Sequence, residues 1–224
     1  MDSLRTIALI LAIAAIGIGA FLYASYEVKS PTDTWQVKLA DPIVIGNDDD
    51  RFAYAGGPLV RGVSGSGRLS FSPEKRTGSI RIDFTDPEGD GEWTGRIDLR
   101  SRLNGTTKID SNVEIDGETG LGEVRLPQTH AYLAGMSDFT VYSGLWPVGR
   151  VRGFWSLAYA IRKEDGSIRN QGLVYSPLLR DKTVFSDPTR LEFTLILYED
   201  DEVLLDLVFR KVTIVRSPEG EDLP

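Results

Sequence analysis

The side chains that could do chemistry are few and poorly spaced for it. His130 is the only histidine, in Gln128-Thr129-His130 and eight residues before Asp138. A hydrolytic triad needs nucleophile, base and orienting acid in contact. No G-x-S-x-G elbow supplies the nucleophile, and Gly65-Ser66-Gly67 lacks that pattern. One histidine also falls short of the multi-histidine sites that zinc and copper prefer. There is no cysteine, so disulfides, thiolate nucleophiles, Cys-ligated zinc and iron–sulfur clusters are excluded. The spacing predicts no catalytic residues and no cofactor.

Acidic clusters are the remaining candidates. Asp86, Glu88 and Asp90 stand at alternate positions and Gly91 at the sixth, like the opening of a calcium loop. The twelfth position, where a bidentate acid belongs, is Ile97, so the pattern fails there and leaves a weak calcium candidate. Residues 48–50 and 200–202 are acidic turns that read as solvated loop tips. Carboxylate pairs for glycoside hydrolysis could be assembled from distant residues, but 33 acids in the chain make their presence uninformative. Asn104-Gly105-Thr106 is a glycosylation sequon within a turn signal.

Interaction chemistry is better represented. Between residues 131 and 160 only Asp138, Arg150 and Arg152 are charged, while seven residues are aromatic. Core strands explain much of this. The sharper expectation is that Leu145-Trp146-Pro147-Val148, with Tyr142 nearby, forms an exposed apolar loop that touches lipid or a partner subunit. Aromatic residues with arginines beside them are enriched at such contacts.

Two kinds of element position these residues. Residues 6–26 carry no charge, and the apolar run 7–24 would rise about 27 Å as a helix, close to the roughly 30 Å of a bilayer's hydrocarbon core. The competing reading, a cleaved signal peptide, fits less well: the run is too long, the basic region thin and the cleavage triplets poor. Small residues four apart, Ala8 with Ala12 and Ala15 with Gly19, would let another helix approach closely.

Helical periodicity is nearly absent after residue 30. Short alternating runs, with turn residues every 8–12 positions, predict ten to thirteen strands. Residues 78–85 show the pattern: Ile80, Ile82 and Phe84 alternate with Arg81 and Asp83. Residues 34–39 and 42–45 read as two strands, 153–162 and 167–175 as the clearest hairpin, and 122–126 as a short strand. Only 127–137 could hold a helical turn.

The expected fold is all-β, an antiparallel sandwich or barrel carried on one N-terminal transmembrane helix. The divisions are an anchor at 1–28, a linker at 29–33, a β domain at 34–216 and an acidic tail at 217–224. A net charge of −8 disfavours a nucleic-acid partner. Together these features lead us to expect a non-catalytic, single-pass membrane protein. It would be an accessory subunit of a larger complex, with a cytoplasmic amino terminus and its β domain outside the cytoplasm. The bilayer would be contacted through residues 6–26, and other membrane subunits would be partners. The alternatives are a tethered domain binding a lipid, glycan or other small ligand, and an envelope hydrolase built on carboxylates.

Overall fold

The computed structural model describes residues 34–45, 60–87, 95–123, 126–163, 165–168, 186–199 and 202–218. All lie in one compact unit, Asp33–Pro224. The expected anchor, with Ala8, Ala12, Ala15 and Gly19, falls outside the described residues, as do Glu88 and Asp90. Among the described residues no helix is long and apolar enough to cross a membrane.

Ten strands are described: β1 (Trp35–Ile45), β2 (Val60–Gly62), β3 (Ser64–Ser72), β4 (Thr77–Asp86), β5 (Gly95–Leu103), β6 (Ile109–Ile115), β7 (Thr129–Ser143), β8 (Trp146–Ala160), β9 (Asp187–Glu199) and β10 (Glu202–Arg216). Eight of them close into an antiparallel barrel in the order β1-β3-β4-β5-β7-β8-β9-β10, with β10 pairing back onto β1. Closure settles the open alternative: this is a barrel, not a sandwich. β2 extends β3 along the edge of β1, and β6 continues β5 along the edge of β7.

Alternation explains the interior. Val37 and Leu39, Ile80 and Ile82, Ile97 and Leu99, and Leu195 and Leu197 all point inward from their strands. With them Trp35, Trp155, Phe84, Phe139, Phe193 and Phe209 fill the barrel. Trp155 lies stacked on Phe193, with ring centroids 6.3 Å apart. A second apolar cluster covers the outside of the wall. Ala134, Phe154 and Ile196 alternate with inward neighbours and meet Ile115 of β6 and Leu126 and Ile161 from the connecting segments.

Several elements differ from the sequence expectation. The two strands expected at 34–45 are one, because Asp41 adopts a φ of 59° and lets β1 bend without breaking. Residues 127–137 hold no helical turn; most of them belong to β7, whose inner and outer faces are both covered, which hides the period-2 signal. Gly122, Glu123 and Leu126 belong to a loop. Of the hairpin expected at 153–175, one bridge, Arg162 with Ile168, is described; residues 169–175 lie outside the described residues. β8 pairs with β7 and β9.

The barrel has two distinct ends. β7 rises to its turn with β8 at Ser143 and Trp146, which marks the upper mouth. The chain enters β1 and leaves β10 at the lower mouth, where Gln36 pairs with Arg216. β9 and β10 pair only in their upper parts, from Glu199 with Glu202 down to Phe193 with Phe209. Below that point β9 holds to β8 and β10 to β1.

Candidate interaction site

The β7–β8 hairpin carries the most exposed apolar side chains described. Leu145 is 88% exposed, Trp146 77% and Val148 58%. The chain reverses through Gly144 and Leu145, and Gly144 takes a φ of 62°, which glycine reaches without steric cost. A register shift at Val141/Tyr142 then carries the hairpin past the packed wall, so residues 143–150 lie outside the core. Tyr142 is half-buried at its base. The Arg100 guanidinium lies 4.3 Å from its ring centroid and is held there by Asp98, 2.6 Å away. The three residues expected at this contact, Tyr142, Leu145 and Trp146, are thus brought together at one end of the barrel. The chemistry available there is desolvation of apolar surface beside the exposed arginines Arg150 and Arg152.

The other candidates are placed elsewhere. His130 sits between Tyr132 and Tyr159, 5.5 Å from each ring, with Nδ1 3.6 Å from Glu114 Oε1. The Tyr132 hydroxyl donates to the Tyr159 hydroxyl at 3.1 Å, so the three rings form an aromatic clasp. Asp86 is buried and accepts a hydrogen bond from Arg61 Nη2 at 2.9 Å, a structural pairing at the top of β4. Asn104 caps its own turn, its Oδ1 accepting from the Thr106 N–H at 3.0 Å. No group of metal-ligating side chains occurs among the described residues.

Sequence reasoning missed a buried charge cluster on the outer wall. Arg162 Nη2 donates to Asp206 Oδ2 at 3.0 Å, and the Arg162 N–H donates to Glu192 Oε2 at 3.3 Å. Asp116 lies close by, its Oδ1 accepting the Glu123 N–H at 2.8 Å. Burial raises all three acids, Asp116 to about 7 and Asp206 to about 6, against the opposing pull of Arg162. Glu192 and Asp206 occupy outward positions that ordinarily face water, so nothing in the pattern marked them. The one available signal was Asp206 inside the apolar run Val203-Leu204-Leu205 to Leu207-Val208-Phe209. All four side chains are nearly sealed from solvent, which gives a substrate no approach among the described residues.

Fold and site together define a closed antiparallel barrel with a filled interior and one projecting apolar hairpin. No protein-family model matches the chain, and no curated protein or solved structure is significantly similar to it.

Proposed function

We propose that this chain is a non-catalytic, membrane-anchored accessory subunit whose barrel presents the β7–β8 hairpin tip to a partner subunit. The observation that carries the reading is the solvent exposure of Leu145, Trp146 and Val148 at the tip of an ordered hairpin. The tip stands at the upper mouth, while the chain enters β1 at the lower one. The uncharged run 6–26 supplies the anchor. The packed interior weighs against a ligand held inside the barrel, and the sealing of the acid cluster weighs against a carboxylate hydrolase.

The test is extraction in mild detergent, size separation and mass spectrometry of the co-migrating chains. Stoichiometric co-migration with a larger membrane assembly, lost in Leu145→Asp/Trp146→Glu, supports the reading. Migration of the native protein alone overturns it.

A further inference from the structure

The lower half of the barrel wall carries a feature independent of the tip. Where β9 and β10 part company below Phe193 and Phe209, a cleft of about 880 Å³ opens between residues 189–191 and 210–217. Its two sides are strand edges. On the cleft side, no ladder among the described residues engages β10 beyond Phe209 or β9 before Phe193. Each edge therefore offers backbone N–H and C=O groups at alternate residues, the template that an added strand satisfies.

The side chains specify what kind of strand. Leu191, Val212 and Ile214 pack against the barrel core and give the cleft an apolar floor. Its lining residues include four cations and no acid, in a chain of net charge −8. Arg210 and Lys211 share the carboxylate of Asp41, at 2.9 and 3.4 Å. The side chains of Arg190 and Arg216 make no hydrogen bond or ion pair among the described residues. A strand alternating aliphatic and carboxylate side chains would set one kind on the floor and the other at the arginines.

We propose that this cleft docks an extended acidic–aliphatic segment of a partner protein, which enters the wall as an additional strand between β9 and β10. β10 supplies the longer edge, seven residues or roughly 23 Å of strand. Because β9 and β10 run in opposite directions, the guest lies antiparallel to one and parallel to the other. Main-chain pairing provides the affinity, and the cations select against basic or neutral strands.

The experiment uses the full chain in detergent and a fluorescent seven-residue peptide of alternating Glu and Val. Anisotropy reads binding, and hydrogen exchange reads the backbone amides of 189–191 and 210–216. We expect saturable binding, slower exchange at those amides, and no binding of the matching Lys/Val peptide. Arg190→Glu/Arg216→Glu should weaken the acidic peptide by about tenfold or more and gain affinity for the basic one. That reversal cannot arise from misfolding, and unchanged exchange in β7 and β8 checks the fold. Absence of saturable binding, or binding without protection of those amides, overturns the proposal. So does protection of 210–216 in the free full chain that vanishes in a chain ending at Pro218. The occupant would then be the protein's own acidic tail, in which Ser217-Pro218-Glu219-Gly220 has the residue types of a type I turn.

Discussion

Arg162 and Asp206 form an ion pair almost without solvent: their Nη2 and Oδ2 atoms are 3.0 Å apart, and their side chains are 2% and 0% exposed. Lifting both charges out of water is costly, and their attraction recovers that cost only while both are present. Asp206 Oδ1 has no hydrogen-bond partner among the described residues, so the pair is held by one side of the carboxylate.

Removing Arg162 leaves Asp116, Glu192 and Asp206 buried with the central cation gone. Arg162→Met should lower stability by about 3–5 kcal/mol, measured by denaturant unfolding. Asp206→Asn should cost less, because the Arg162 guanidinium keeps the nearby carboxyl groups of Glu192 and Asp116 as electrostatic partners. Equal losses for the two variants would contradict the central role of the arginine.

The same cluster sets a pH dependence. Asp116, Asp206 and Glu192 have folded-state pKa values raised by burial, so the folded protein binds more protons than the unfolded chain above the ordinary carboxylate range. The contribution of Asp116 and Asp206 is most favourable at low pH, declines as pH rises from near 4, and levels off above about 7, and Glu192, also raised by burial, acts in the same direction. Asp41, lowered by Arg210 and Lys211 against its own desolvation, works in the opposite sense at more acidic pH. Thermal unfolding at intervals from pH 4 to pH 8 should show the decline, and Asp116→Asn should flatten much of it.

Two tryptophans separate packing from contact. Trp155 is fully buried, so Trp155→Ala should cost about 3–5 kcal/mol, whereas Trp146→Ala at the tip should stay within about 0.5 kcal/mol. The Trp155 Nε1–H has no acceptor among the described residues, so Trp155→Phe forfeits packing but no hydrogen bond. Chemical denaturation of the three variants distinguishes these outcomes.

Gly122 holds the loop over the acid cluster. Its φ is 93°, and a Cβ there would collide with Asp116 Oδ1 and lie 3.1 Å from the Phe154 ring. Gly122→Ala should therefore destabilise by more than the ~1 kcal/mol of a simple backbone penalty. Adding Asp116→Ala should recover part of the loss, as a double-mutant cycle would report.

Much of the wall was legible because alternation is a local signal. Ile80, Ile82 and Phe84 announce β4 from five adjacent positions, and Leu145-Trp146-Pro147-Val148 marks the tip. β7 was less readable, since a strand covered on both faces loses the polar half of its pattern. Barrel closure could not be read at all, because Gln36 and Arg216 carry no mark of each other. The acid cluster was hidden for a related reason. Glu192 and Asp206 stand where a strand normally meets water, and only the segments folded over them make those positions dry.

The pairing of β1 with β10 has a temporal consequence. Trp35 begins the barrel and Arg216 ends it, yet they belong to adjoining strands. During synthesis β1 can find β3 early, but its other edge has no companion until the last strand has emerged. Completion of the barrel therefore waits on the emergence of β10, and until then the nascent wall has an open seam. A chain interrupted before β10 would keep that seam permanently, as a strand edge available to other unfinished chains.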